Sequence, residues 1–91
     1  MQIYEKVKAI REVEGITQVQ LAEMTGVSRS TISKLDSGVK KDMKAETLLK
    51  ICNIPEFQKY TLWLMTGQVN PEAGQISPEI KLAADQLKTG S

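Results

Sequence analysis

The stretch from Thr17 to Gly38, TQVQLAEMTGVSRSTISKLDSG, constrains this chain more than any other segment, because it fixes two short helices and the tight turn between them. Thr17 followed three residues later by Gln20 makes a capping box for the first helix, and Ser28 caps the second so that Arg29 and Ser30 occupy its first turn. Gly26 supplies the turn residue able to take positive φ, and Ala22 is small where two helices cross closely. Leu21, Val27, Ile32 and Leu35 recur at intervals that turn all four inward, leaving Gln18, Arg29, Ser30, Thr31, Ser33 and Lys34 outside. A generic helical hairpin also ends helices on glycine, but an ordinary solvent face would be richer in Glu and Lys pairs. The outward row is instead a set of hydrogen-bond donors suited to base edges and phosphate oxygens. This is the pattern of a helix-turn-helix whose second helix lies in the major groove of duplex DNA.

Composition excludes most other classes. Ninety-one residues, 41% of them hydrophobic and with no long apolar run, fit one domain with a short extension and leave no room for a second enzymatic domain. The N-terminal MQIYEKVKAIREVEG interleaves charge with apolar residues, so neither a secretory leader nor a membrane span is expected, and the chain is expected to be cytosolic. Cys52 lies among Leu48, Leu49, Ile51 and Ile54, which reads as a buried reduced thiol, and histidine is absent. No Cys-His nucleophile and no metal-ligand spacing can be assembled, so no enzyme activity, cofactor, metal or small-molecule ligand is expected. The net charge is only +1, yet Arg29 to Lys50 carries Arg29, Lys34, Lys40, Lys41, Lys44 and Lys50 against Asp36, Asp42 and Glu46. That local excess beside the second helix is the footprint of a polyanion partner.

Around the motif the periodicity predicts an all-α domain of five helices. Ile3, Val7, Ile10 and Val13 give a first helix over about Gln2 to Glu14. A fourth runs from about Met43 to Cys52 with Asp42 as its cap, and a fifth from about Glu56 to Thr66. The fifth holds Phe57, Tyr60, Leu62, Trp63, Leu64 and Met65, more apolar surface than residues 1–66 readily hide. That surface either closes the core or forms an interface. The remainder, 67–91, carries turn residues, a short strand around Gln75 to Ser77 and a helix capped by Ser77, with Ile80, Ala83, Ala84 and Leu87 as a narrow apolar stripe. A helix so thinly apolar docks on its own core, pairs with a second chain or frays.

Thr17 to Gly38 with its flanking helices resembles the DNA-binding domain of the lambda-repressor and Cro superfamily, over roughly the first 66 residues. LAEMTGVS together with PEFQKYTLWLMTGQVNPEAGQISPEI is similar, more narrowly, to the C immunity repressors of the peduoviruses, the P-two-like temperate phages. The resemblance implies a small dimeric repressor that blocks early lytic transcription, maintains lysogeny and confers immunity, acting on directly repeated operator half-sites. Carried over by position, Gln18 would hold a phosphate, and Arg29 and Ser30 would lead the recognition helix. Thr31, Ser33 and Lys34 would face the groove, and Lys40 and Lys41 would take phosphates. Arg29 stands where lambdoid repressors often have Gln, so base preference cannot be transferred; Arg favours guanine edges. The domain by which larger phage repressors cleave themselves is not expected here, nor is induction by that route.

One recognition helix covers too few base pairs to single out an operator in a genome, so a homodimer on duplex operator DNA is expected. The first four helices show no spare apolar face, which places the dimer interface on Trp63, Val69, Ile76, Ile80 and Leu87, within a 67–91 dimerisation extension to the 1–66 DNA-binding domain. An antitoxin or restriction-controller regulator of the same fold is the nearest alternative, its extension also holding a partner protein. A protein-interaction bundle without a DNA role is a further one, and it would show no affinity for duplex DNA at low salt.

Overall fold

Every helix of the first 66 residues is built around one apolar cluster. In the computed structural model, which describes residues 1–89, α1 (Ile3–Val13) buries Val7 and Ile10, α2 (Gln18–Thr25) buries Leu21, and α3 (Arg29–Ser37) buries Ile32 and Leu35. α4 (Ala45–Cys52) adds Ile51, while Ile16 and Ile54 enter from the connecting segments. Trp63 and Ile76 pack against the same cluster with half-buried side chains. The two residues that end the expected 67–91 extension lie outside the described ones.

The expected caps on α2 and α3 form. Gln20 N–H donates to Thr17 Oγ1 at 3.0 Å while Thr17 N–H donates to Gln20 Oε1 at 2.9 Å, and Thr31 N–H donates to Ser28 Oγ at 3.2 Å. The expected cap on α4 does not. That helix begins at Ala45 rather than Met43, with Lys44 at its N-cap position and no side chain from Asp42 serving it. The extended backbone at Lys44 shortens the helix by two residues, and Met43 packs against the core from outside it.

The count of five helices in residues 1–66 is also corrected, to six, and with the helix of the extension the described residues form seven α-helices. The expected fifth helix is divided into α5 (Pro55–Gln58) and α6 (Thr61–Thr66), with a turn at Lys59 and Tyr60. The break lets Phe57, Tyr60 and Leu64 all become fully buried. The Tyr60 hydroxyl donates to Glu14 Oε2 at 2.6 Å, and Lys59 Nζ lies 3.0 Å from the same oxygen. Burial, with that carboxylate as acceptor, holds the phenol far above its ordinary range, so Tyr60 acts as a neutral donor.

A broken helix leaves backbone groups without partners, and the extension supplies them. Gln75 Nε2 donates to the Gln58 carbonyl at 3.1 Å, Leu62 N–H donates to Gln75 Oε1 at 3.0 Å, and Ile76 N–H donates to the Lys59 carbonyl at 2.9 Å. Among the described residues the expected strand is absent. Asn70 and Gln75 form a single antiparallel bridge around a 3-10 turn, Pro71–Ala73, and Ser77 already caps the last helix, so there is no length left for a strand. α7 (Pro78–Thr89) packs on α1, the first of the three outcomes open to it, with Lys81 Nζ 2.6 Å from Asp85 Oδ1 one turn along. Cys52 packs against the core, and burial pushes its thiol up, keeping it protonated. No described helix is long and apolar enough to cross a membrane.

Candidate nucleic-acid interface

The turn between α2 and α3 determines where α3 can point. Gly26 closes α2 at φ +75°, donating to the Ala22 carbonyl at 2.9 Å, and Thr25 Oγ1 accepts from Val27 N–H at 3.1 Å while donating to the Leu21 carbonyl at 2.8 Å. Ala22 packs against the core from α2. Ala22→Leu is therefore expected to cost about 1–3 kcal/mol by overpacking and to reduce DNA binding by displacing α3. An unchanged melting temperature with normal affinity for DNA would contradict this.

With Ile32 and Leu35 buried, the opposite face of α3 is open. Arg29, Ser30, Ser33 and Lys34 are exposed, and Thr31 is half-buried with its hydroxyl 2.8 Å from Ser28 Oγ. Among the described residues, the side chains of Arg29, Ser30, Ser33, Lys34, Lys40 and Lys41 make no hydrogen bond or ion pair within the chain. A row of polar side chains left unengaged by its own fold is a surface for an external acceptor.

The turn after α3 brings in the two lysines. Gly38 at φ +80° donates to the Leu35 carbonyl at 3.1 Å, and Lys40 N–H returns to the Lys34 carbonyl at 3.0 Å, so Lys40 and Lys41 follow the end of α3. A Cβ at Gly38 would stand 3.2 Å from Tyr4 Cε2, which means that the turn rests on the Tyr4 ring of α1. Tyr4 carried no sequence signal for this role.

Two further residues of the site went unrecognised in the sequence. Arg11 Nε and Nη2 donate to Asp36 Oδ1 and Oδ2 at 2.8 and 3.1 Å, and its Nη1 donates to the Ile16 carbonyl at 2.9 Å, which ties α3 to α1. Gln18 Nε2 donates to Asp36 Oδ2 at 3.1 Å. The available signal was Asp36 itself: an acid on a helix meant to face phosphates must be neutralised from within.

The five residues expected at a dimer interface do not share one environment. Trp63 is half-buried, with Lys6 Nζ 5.5 Å from its ring centroid and 3.1 Å from its carbonyl oxygen. Ile76 faces the core and Ile80 is half-buried, whereas Val69 and Leu87 are exposed. Met65, one of the fifth-helix residues left open between core and interface, is exposed, as is Leu82, which was not anticipated there. Val19, Met24 and Leu49 are also exposed, so α2 and α4 carry more outward apolar surface than their periodicity implied.

Comparison with known proteins agrees with this geometry. Residues 4–68 match the model of a family described as a helix-turn-helix domain. The chain is 41% identical over 78 residues to Repressor protein C of Escherichia phage P2, an alignment covering 86% of this chain and 78% of that protein. The chain belongs to the P2-type C repressor family. The matched span covers α1 from Tyr4 onward and all of α2 to α6, so the motif, the Arg11–Asp36 pair and the Gly38 turn all lie within the helix-turn-helix domain as this family has it.

Proposed function

We propose that this member of the C repressor family is a sequence-specific DNA-binding transcriptional repressor that occupies operator half-sites as a homodimer, blocks an early lytic promoter and so maintains lysogeny and immunity. The observation that carries the reading is the unengaged face of α3, where Arg29, Ser30, Ser33 and Lys34 stand outside a helix held from behind by Ile32, Leu35 and Asp36. Family membership supports the repressor role, since the related phage protein is named for it. Arg29 and the outer residues of α3 read bases in the major groove, and Lys40 and Lys41 hold phosphates.

The pairing of two copies is supported by apolar surface gathered in the C-terminal third. Leu82 is 51% and Leu87 78% exposed, and Leu82 borders a groove of about 450 Å³ between α1 and α7, lined also by Ala9, Val13 and Pro78 with Glu12 and Glu79. A second copy covering that surface would remove it from water and align two recognition helices.

Selection of bound duplexes from random DNA, followed by footprinting, tests this reading. Arg29→Ala is expected to lose about 1–3 kcal/mol of discrimination at one base pair with the fold intact. Lys40→Ala is expected to weaken all sites alike and to make the salt slope shallower by about one unit. Full base preference in Arg29→Ala would show that α3 is not the reading helix.

A further inference from the structure

Asp36 is the one acid on α3, and its side chain is only 10% exposed. Its carboxylate accepts three donors from two other elements: Arg11 Nε on Oδ1 at 2.8 Å, and both Arg11 Nη2 and Gln18 Nε2 on Oδ2 at 3.1 Å. Arg11 reaches it from α1 and Gln18 from the first position of α2, so one carboxylate joins three helices.

We propose that Asp36 is a positioning residue of the DNA site, acting through the amide of Gln18. The inference rests on the DNA-binding reading above. A carboxylate only accepts hydrogen bonds, so the Gln18 amide must present its nitrogen to Asp36, and the flip that would present oxygen is excluded. One N–H of that nitrogen is held, and the other stays available; Gln18 makes no further side-chain hydrogen bond among the described residues. A phosphate oxygen also only accepts, so the orientation imposed by Asp36 is the one in which Gln18 donates to the backbone of a duplex rather than facing it with a carbonyl. Arg11 has the complementary task. Its paired guanidinium cancels the Asp36 charge, so an acid on the recognition helix orients a donor without repelling the polyanion.

The alternative is that Asp36 serves stability alone, and the two differ in sign as well as size. Loss of a negative charge near DNA strengthens binding to any duplex, and it does so whether or not Gln18 is present. Loss of a positioning group weakens binding, and only when Gln18 is there to be positioned. The test is a double-mutant cycle of Asp36→Asn and Gln18→Ala, read as affinity for a short duplex of arbitrary sequence at low salt, with the folded fraction of each variant measured by circular dichroism. Asp36→Asn is expected to weaken binding about five-fold in the Gln18 background, the size of ordering one side chain at binding instead of beforehand, and to leave Gln18→Ala unchanged or slightly tighter. An equal effect in both backgrounds, or full affinity in Gln18→Ala, overturns the proposal.

A second measurement needs no variant and so does not depend on Asp36→Asn folding. In the unmodified protein one of the two Gln18 side-chain amide protons is expected to be protected from solvent exchange and displaced from the ordinary glutamine shift by the Asp36 carboxylate, with the other shifting when the duplex is added. Two amide protons that both exchange rapidly at ordinary glutamine shifts would show that Asp36 does not hold the amide, and would overturn the proposal as well. Failure of the unmodified protein to bind any duplex at low salt would instead remove the DNA-binding reading on which the proposal rests.

Discussion

Arg11→Met is expected to lower the stability of this domain by about 3–5 kcal/mol, the cost of leaving a nearly buried carboxylate without its ion partner. Arg11 and Asp36 are 14% and 10% exposed, and the pair is bidentate with a third donor from Arg11 on the Ile16 carbonyl. The substitution keeps most of the apolar stem of Arg11, so the loss reports on charge and hydrogen bonds rather than on packing. In a domain of this size the midpoint of thermal unfolding would fall by on the order of 20 °C. A surface ion pair, by contrast, contributes about 0–1 kcal/mol. The double variant Arg11→Met with Asp36→Leu is expected to recover much of the loss, because neither buried charge then remains. A thermal melt of the two variants side by side checks both statements. If Arg11→Met melts within a few degrees of the parent, water reaches this pair and it acts as a surface contact.

The second large effect concerns residues 67–91. Removing them is expected to lower the occupancy of a two-site operator by on the order of 10²–10⁴, the gain that joining two DNA-binding units provides, while leaving weak, nonspecific binding to a single site. The structure adds a cost in stability, because the removed segment is not a loose appendage. Ile76 leaves the core, the partners of the Lys59 carbonyl and of Leu62 N–H go with it, and the Gln58 carbonyl loses Gln75 Nε2 and keeps only the Thr61 hydroxyl. Partial burial of one isoleucine and three hydrogen bonds together correspond to about 2–4 kcal/mol. Leu82→Glu with Leu87→Glu separates the two consequences, since both side chains are exposed and no core contact is lost. Sedimentation is expected to find the double variant monomeric at the parental melting temperature. A dimer in both the double variant and the truncated chain would place the interface on the helical domain, where Val19, Met24 and Leu49 are exposed.

What the chain itself determined is local. The capping box at Thr17 and Gln20, the Ser28 cap, the glycine turns and the inward spacing of Leu21, Ile32 and Leu35 depend on residues within a few positions of one another, so they are legible in the order of residues alone. The outward row on α3 follows from the same periodicity. Tertiary structure decided the features that join distant segments. The break at Lys59 and Tyr60 has no Gly or Pro to announce it; burying Phe57, Tyr60 and Leu64 together requires it, and Gln75 and Ile76, more than ten residues on, satisfy the groups it frees. Arg11 and Asp36 lie 25 positions apart and read in the sequence as two ordinary surface charges. Only when α1 packs beside α3 do they meet out of water, where an ion pair and its hydrogen bonds carry the weight that solvent denies them on the surface.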